Sequence, residues 1–434
     1  MCKIIVAGAG HGGLSAAAQL AKNGFDVTVV ERKKREDLGY DWEDSLRKST
    51  FKFIDIPCPD EEHLKLCYPM SYMNPKKTVK IQDSGLPGTN IRFVERKYIL
   101  KYLVDYAESC GVKFAFETNI LSAVCAVGKV CGIKVEKDGK TEEMYADMVI
   151  DAAGMNSPVR ESLPSRFGID NKVRPEYIFT VYRAYYDKLA DEFTDPRYCV
   201  FFDNCGRCGM DWMITEDGHM DVLIGSFSDT LTQDEIDAAL AELKKLYPYL
   251  GDKVLRGGSV AKIPVGKALR KLVCGGYAAV GDSAFMTEPL SGSGMDFALM
   301  AGKVLADVMI ENYGDFSIEK LWKYQYKFYT EHYNGQLGSY LIKSLLAELT
   351  PDDMDYIFEK NILTAKEMYH RANAKYSAGE LASKAAYLGA KPKIVKALAE
   401  MGLKMMSIDK VNSLMPEEYT DYDFHKWQKE YSKL

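Results

Sequence analysis

The chain has little histidine, with six in 434 residues, and it has no apolar run long enough to span a membrane. With so few histidines, no spacing of ligands indicates a metal site, and no Ser–His–Asp pattern indicates a hydrolase. Lysine and arginine form no dense block and the net charge is −6, which argues against a nucleic-acid partner. No secretion signal precedes the first predicted strand, and the ten cysteines are irregularly spaced. We therefore expect reduced thiols and a cytoplasmic protein.

A glycine-rich turn between an apolar strand and a helix is the strongest signal that is present. The turn carries the glycines of a G-x-G-x-x-G spacing, Gly8, Gly10 and Gly13. A strand is predicted before it over residues 4–7, and a helix over 14–22 and a second strand over 27–30 after it. This order is the first βαβ unit of a dinucleotide-binding domain.

Each part of this unit has a physical role. Gly8 permits the tight turn, Gly10 lets the backbone approach a pyrophosphate, and Gly13 lets the helix pack against the strand. The helix N-terminus offers free N–H groups to the anion. Glu31, at the end of the second strand, is placed to accept a hydrogen bond from a ribose 2′-hydroxyl. The pattern therefore favours FAD or NAD over a 2′-phosphorylated nucleotide.

Two further segments have the composition of nucleotide-contacting turns. Residues 150–160 read as a strand that ends in small residues and a glycine, followed by a polar turn. Residues 276–302 read as a strand, a turn with Asp282, and a helix that begins at Gly292 and Gly294. An aspartate at a strand end can hold a sugar hydroxyl, and bare amides at a helix start suit an electron-rich ring edge.

In this order, these motifs resemble flavoproteins of the p-hydroxybenzoate hydroxylase fold, specifically their geranylgeranyl-reductase-like branch. The features that carry the resemblance are the glycine turn with Glu31, the helix that starts at Arg96, the segment 153–160, the strand 263–266 and the block 276–302. The likeness covers roughly residues 1–305, and it identifies no family for the helical tail.

The resemblance implies FAD as the cofactor. The residues that it places at FAD are Gly8, Gly10, His11, Gly12, Gly13, Glu31, Arg32, Arg96, Ile120, Gly154, Asp282, Pro289, Gly292, Ser293, Gly294 and Met295. Arg96 would lie near the pyrophosphate and Ile120 near the adenine, while Asp282 would hold the ribityl chain. Pro289 would lie close to the isoalloxazine, and the amides of residues 292–295 would face its pyrimidine edge.

The sequence departs from the family pattern at three places. Ala153 stands where the family has Asp, which puts the contacts of that Asp in doubt. His11 stands where many relatives have Pro, and it is either a proton donor near the flavin or a tolerated loop residue. The aromatic substrate signature survives only in part, around Trp212, which remains a candidate for the substrate wall. We therefore expect a substrate that differs from that of the parent family.

Two other candidate groups lie in the same middle region. Arg183 shares a strand face with Tyr185, and it either binds an anionic substrate group or extends its apolar stem off the sheet. Cys205 and Cys208 form a C-x-x-C pair. The alternatives for this pair are a redox couple that relays electrons to the flavin, half of a metal site without its other half, and a hairpin turn that happens to hold two thiols.

The expected fold is α/β (α+β): a Rossmann-like FAD-binding domain with an inserted, mostly antiparallel β-sheet substrate domain and a helical C-terminal region. The expected boundaries are 1–55, 91–170 and 265–310 for the FAD-binding domain, 56–90 and 171–264 for the substrate domain, and 311–434 for the helices. The basic helix near 391–404 is either a solvated surface or a peripheral lipid contact.

The expected function is that of an FAD-dependent oxidoreductase. The first hypothesis is a reductase of carbon–carbon double bonds in a hydrophobic, isoprenoid or lipid-like substrate, by hydride transfer from reduced flavin. The alternative is a flavin monooxygenase (hydroxylase) or halogenase on the same fold, and a third class is a non-catalytic electron carrier or flavin-binding regulator. Because no second nucleotide-binding motif is present, the electron donor is NADH or NADPH visiting the flavin site, or a protein such as a ferredoxin.

Overall fold

The structure is a computed structural model, and it describes residues 1–82, 91–192, 196–333, 335–365, 378–389 and 391–434. Its strands are Lys3–Ala7 (β1), Asp26–Val30 (β2), Glu43–Arg47 (β3), Lys65–Leu66 (β4), Met70–Met73 (β5), Lys80–Gln82 (β6), Ile91–Glu95 (β7), Lys113–Ala115 (β8), Asn119–Ala126 (β9), Lys129–Lys137 (β10), Lys140–Tyr145 (β11), Met148–Asp151 (β12), Ile178–Lys188 (β13), Tyr198–Phe202 (β14), Met210–Thr215 (β15), His219–Ser226 (β16), Leu250–Pro264 (β17), Val273–Cys274 (β18) and Tyr277–Ala279 (β19).

Its helices are His11–Lys22 (α1), Lys48–Phe53 (α2), Arg96–Ser109 (α3), Pro158–Glu161 (α4), Gln233–Leu246 (α5), Met295–Glu311 (α6), Ile318–Lys327 (α7), Gln336–Glu348 (α8), Pro351–Glu359 (α9), Ala378–Gly389 (α10), Pro392–Ser413 (α11) and Asp421–Tyr431 (α12). A π-helical turn, Phe328–His332, follows α7.

The first sheet has the strand order β18-β19-β12-β1-β2-β8 and is parallel except at β18–β19. Its central strand β1 is an apolar run that is buried on both faces, as parallel strands covered by helices are. Val6 pairs with Ile150 of β12 on one side and with Val29 of β2 on the other. The Rossmann-like domain expected from the sequence is therefore confirmed.

Helices α1 and α6 cross beside this sheet with almost no side-chain volume between them. A Cβ added at Gly302 of α6 would lie 2.1 Å from the carbonyl oxygen of Gly12 in α1. The Ser15 hydroxyl donates to the Leu299 carbonyl across the same contact, at 2.9 Å. A Cβ at Gly12 would lie 2.7 Å from the Ala298 carbonyl, so the first turns of both helices are adjacent.

The second sheet has the order β17-β13-β16-β15-β14-β5-β6, and every pairing except β14–β5 is antiparallel. Alternation along the strands gives it two apolar faces. One face packs against α5 through side chains such as Phe201 and Ile224. Phe179 and Val200 belong to the other face, which lines a cavity on the side of the first sheet. The inserted, mostly antiparallel sheet is confirmed.

The C-terminal helices are divided between two of the three hydrophobic cores. Trp322 of α7 and Trp427 of α12 are buried in the core of the first sheet. Phe358 of α9 and Ile394 of α11 are buried in the core of the second. Within the described ranges, no helix combines the length and the apolar character that crossing a bilayer requires.

Candidate active site

A cavity of about 760 Å³ lies between the two sheets, and its lining has two parts. The first, which we call the polar wall, comprises Gly8–Gly12, Glu31, Arg32, Arg96, Asp282 and Ser291–Asp296. The second, which we call the apolar wall, comprises Phe179, Val181, Tyr198, Val200, Met210, Trp212, Ile214 and Leu223 on one face of the second sheet. The polar wall and the apolar wall therefore line the same cavity.

The glycine turn approaches a neighbouring backbone so closely that no side chain fits. Gly8 has φ +93°, and a Cβ there would lie 2.6 Å from the Ala152 carbonyl oxygen. The Glu31 carboxylate holds the turn from the other side by accepting the backbone N–H groups of Ala9 and Lys33, each at 2.9 Å. Gly13 faces inward, where a Cβ would lie 2.7 Å from Val6, so it packs the helix rather than lining the cavity.

Two helix N-termini open into the polar wall. Neither Gly10, the N-cap of α1, nor Gly294, the N-cap of α6, supplies a side-chain cap. The first-turn N–H groups of a helix have no intrahelical acceptor, and the helix dipole places positive potential there. The polar wall is therefore suited to the anionic or electron-rich parts of a ligand.

Asp282 presents a carboxylate to the cavity beside these helix starts. Desolvation by the surrounding protein raises its pKa, and the nearby Arg96 guanidinium opposes that shift. A Cβ at Gly294 would lie 3.6 Å from Asp282 Oδ1, so the carboxylate lies directly against the start of α6. Arg96 itself donates to Asp44 at 2.9 Å. A hydroxyl-bearing chain would find an acceptor in Asp282 and a cation in Arg96.

Buried polar atoms without a hydrogen-bond partner in the described chain are found around this cavity. They include His11 Nε2, Arg96 Nε, Trp212 Nε1 and Gln336 Oε1. Native proteins pair nearly all buried polar groups, so unpaired atoms in residues that line a cavity point to partners supplied by a ligand. We therefore expect a ligand in this cavity that supplies hydrogen-bond partners to these groups.

His11 is only 8% exposed and occupies the first position of α1. Burial, and secondarily the charge of Arg96, holds its pKa well below the ordinary histidine value. The imidazole is therefore neutral near pH 7 in this state. His11 also lines the cavity, so its role there, as a proton donor near the flavin or as a tolerated residue of the turn, stays a prediction.

Arg183 lines the cavity, and its guanidinium is held by protein groups. It donates to Asp221 at 2.9 and 2.5 Å, to the Glu43 carbonyl at 2.5 Å, and to Asp44 and the Tyr185 hydroxyl at 3.4 Å. These contacts use the five N–H donors of a guanidinium, so none remains for an anionic substrate group. At 3% exposure it does not extend into solvent. The Tyr185 hydroxyl accepts from the Glu43 N–H and lies behind the cavity surface.

Most residues placed at FAD by the resemblance lie on the cavity surface. These are Gly8, Gly10, His11, Gly12, Glu31, Arg32, Arg96, Gly154, Asp282, Gly292, Ser293, Gly294 and Met295. Three do not: Gly13 packs inward, Ile120 is buried in the core of the first sheet, and Pro289 is flanked by the lining residues Glu288 and Leu290. Asp151, beneath Ala153, accepts from the hydroxyls of Ser157, Tyr277 and Ser283 and so joins strands below the site.

The two cysteines of the C-x-x-C pair lie outside the cavity lining. The Cys205 thiol donates to the Ala238 carbonyl of α5, and the Cys208 thiol to the Ala347 carbonyl of α8. Burial raises the pKa of both thiols. Since the reactive form of cysteine is the thiolate, this setting does not favour a redox couple.

Several lining residues had not been singled out as site residues from the sequence. Tyr40 and Trp42 stack at 4.3 Å between ring centroids. Leu290 and Gln336 line the cavity from the segment before α6 and from the start of α8. The aromatic pair in a polar stretch was a usable signal. No signal in the sequence pointed to Gln336, because this residue lies in the C-terminal helices, outside residues 1–305 that carry the family resemblance.

The polar wall fits FAD. A glycine turn that no Cβ could enter, two uncapped helix starts and unpaired polar atoms on His11 and Arg96 are what a flavin dinucleotide would fill. The apolar wall provides room for a second, hydrophobic molecule in the same cavity.

Comparisons with known proteins agree with this geometry. A family model described as an FAD binding domain matches residues 1–325. A digeranylgeranylglycerophospholipid reductase of Methanothrix thermoacetophila is 26% identical over 365 residues, which cover 82% of this chain and 90% of the relative.

Solved structures share the fold at low identity. A geranylgeranyl bacteriochlorophyll reductase-like protein from Thermoplasma acidophilum has a TM-score of 0.73 at 20% identity, covering 92% of this chain and 99% of that one. A probable FAD-dependent monooxygenase from Pseudomonas aeruginosa has a TM-score of 0.60 at 16% identity, covering 82% and 99%. With the family match over most of its length, the chain belongs to the FAD-binding domain family and is an FAD-dependent oxidoreductase.

Proposed function

We propose that this protein reduces carbon–carbon double bonds in the isoprenoid chain of a lipid. The observation that carries the proposal is that the apolar wall faces the same cavity as the polar wall. A relative with this chemistry in its name, the digeranylgeranylglycerophospholipid reductase, supports it. A hydrocarbon chain needs a long apolar surface beside the redox centre, and the second sheet supplies one.

The residues of the polar wall would hold the cofactor. The N-terminus of α1 would face the pyrophosphate, Glu31 an adenosine ribose hydroxyl, and Asp282 a hydroxyl of the ribityl chain. The uncapped amides at the start of α6 would stabilise negative charge on the flavin ring, as oxyanion-hole amides do. When bound and reduced, FAD supplies the hydride for reduction of a double bond.

The apolar wall orients the substrate and excludes water from it. Phe179, Val200 and Leu223 present hydrophobic side chains to the cavity from strands β13, β14 and β16 of the second sheet. Burying an isoprenoid chain there gains roughly 25 cal/mol for each Å² of apolar surface removed from water. The protein would take up the lipid while in peripheral contact with a membrane. The described residues contain no helix that could span a bilayer.

The electron donor in this proposal is NADH, NADPH or a ferredoxin. Anaerobic titration of the purified holoprotein with each donor, followed by flavin absorbance, distinguishes them. Bleaching by a nicotinamide identifies a small-molecule donor. Bleaching by reduced ferredoxin but by neither nicotinamide identifies a protein donor.

The function itself is tested with dithionite-reduced holoprotein and a geranylgeranyl lipid under anaerobic conditions. We expect product masses that increase by two hydrogens for each double bond reduced, with reduced free FAD as the control. If product forms only after oxygen is admitted and carries an oxygen atom, the monooxygenase alternative replaces this proposal. That alternative is kept because the fold is shared with a probable FAD-dependent monooxygenase.

A further inference from the structure

The apolar wall includes two side chains with a polar atom, Tyr198 and Trp212, and the polar atom of Trp212 has no hydrogen-bond partner in the described chain. Trp212 lies in β15, where alternation turns Met210, Trp212 and Ile214 towards the cavity. The indole Nε1 is buried and finds no acceptor in the described chain. An indole N–H can only donate, so its missing partner is an acceptor.

The surroundings of Trp212 determine the charge of that partner. The Arg183 guanidinium lies 5.3 Å from the centre of the indole ring, and its donors are taken by protein groups. Its charge is balanced by Asp221 at 2.5 Å and by Asp44 at 3.4 Å. An anion hydrogen-bonded to Trp212 Nε1 would therefore face a guanidinium whose charge is already balanced, and burying a charge without a partner is costly.

We propose that Trp212 Nε1 donates a hydrogen bond to a neutral oxygen that the substrate carries next to its hydrocarbon chain. An ether, an ester carbonyl and a hydroxyl share this chemistry, and a phosphate does not belong at this position. This inference rests on the proposed function and makes it narrower: a hydrocarbon chain alone would leave the N–H unpaired, at a cost in binding.

The test replaces Trp212 with β-(3-benzothienyl)alanine, which keeps the bicyclic ring and lacks the N–H group. Binding to the oxidised holoprotein is followed by the perturbation of flavin absorbance, which requires no turnover. The probes are a geranylgeranyl glycerol ether, a geranylgeranyl ester, geranylgeraniol and the corresponding hydrocarbon without oxygen. We expect about a tenfold weaker affinity for at least one oxygen-bearing probe, equivalent to 1.4 kcal/mol, and no change for the hydrocarbon.

The matched control is the same replacement at Trp322, whose Nε1 donates to the Pro416 carbonyl away from the cavity. It should leave the relative affinities for the four probes unchanged. Equal weakening of all probes by the Trp212 replacement, or no weakening of any, overturns the inference while leaving the proposed function intact. If wild-type protein binds none of the four probes, the proposed function is overturned and the inference with it. The probe that loses most affinity identifies the oxygen type.

Discussion

Arg183, which lines the cavity, forms a buried ion pair with Asp221, and the two side chains are 3% and 4% exposed. Removing one partner of such a pair leaves an uncompensated charge in a low-dielectric environment. We therefore expect Asp221→Asn to lower the free energy of unfolding by about 3 kcal/mol or more, measured by urea denaturation of the holoprotein.

The control for this prediction is an exposed ion pair on the first domain. Glu108→Gln removes a partner of Arg35, and both of these side chains are more than a third exposed. Surface pairs contribute little because water screens them, so the loss should stay below about 1 kcal/mol. Equal losses in the two variants would contradict the view that Arg183 depends on Asp221.

His11 gives a pH dependence whose sign follows from its burial. Its pKa in the folded protein is lowered well below the ordinary value, so the unfolded chain binds the proton more readily. The stability that depends on neutral His11 is present above about pH 6.5 and is lost as the pH falls below it. At about pH 5.5, we expect FAD-free wild-type protein to have lost about 1.4 kcal/mol more than His11→Gln, measured by urea unfolding at each pH.

Both proteins in this comparison retain His219 and His332, whose pKa values burial also lowers. Their contributions cancel in the difference between the two stability curves. Parallel curves for wild type and variant would show that His11 does not titrate as its burial requires.

At the scale of elements, the contact between α1 and α6 sets the position of both helix starts at the polar wall. Gly302→Ala would place a Cβ against the Gly12 carbonyl, a backbone atom that cannot rotate away. Overpacking of this kind costs about 1–3 kcal/mol. We expect Gly302→Ala to lower the melting temperature and to weaken FAD binding, measured by flavin fluorescence on dilution.

Gly402 offers the matched control inside α11, because nothing lies within 4 Å of a Cβ built there. Alanine has the higher helix propensity, so Gly402→Ala should stabilise the protein by up to about 1 kcal/mol and leave FAD affinity unchanged. If Gly302→Ala retained wild-type FAD affinity, the close crossing would not be what positions the site.

At the scale of the whole molecule, the last helix is part of the first core rather than an appendage. Trp427 of α12 is 1% exposed and packs on Tyr329 at 5.3 Å between ring centroids. Lys267 donates to the Tyr431 carbonyl at the end of α12, and the Tyr431 hydroxyl donates to the Ala268 carbonyl. We expect Trp427→Ala to cost about 3–5 kcal/mol, measured by denaturant unfolding.

Tyr422 lies on the same helix and is 78% exposed, so Tyr422→Ala should change stability by less than about 0.5 kcal/mol. The purified Trp427→Ala protein should retain less FAD than the wild type, because the core of the first sheet supports the polar wall. A Trp427→Ala protein with wild-type stability would mean that α12 is an independent appendage.

The sequence by itself determined the first βαβ unit, because the local order of apolar strand, glycine turn, helix and acidic residue is sufficient to specify it. It also predicted the strands of the second sheet from successive apolar and aromatic runs, and it predicted a helical tail. These are short-range patterns, and short-range patterns are what backbone geometry dictates locally.

Only the tertiary structure decided which polar groups are already satisfied. The sequence left open whether Arg183 binds a ligand, and the structure shows that it donates to Asp221 and to the Glu43 carbonyl. The sequence predicted that Trp212 lies in the substrate wall, and the structure adds that its indole N–H has no partner in the described chain. Gln336 belonged to no motif. Hydrogen-bond partners come from distant parts of the chain, so whether a polar group is left for a ligand is a property of the packed molecule.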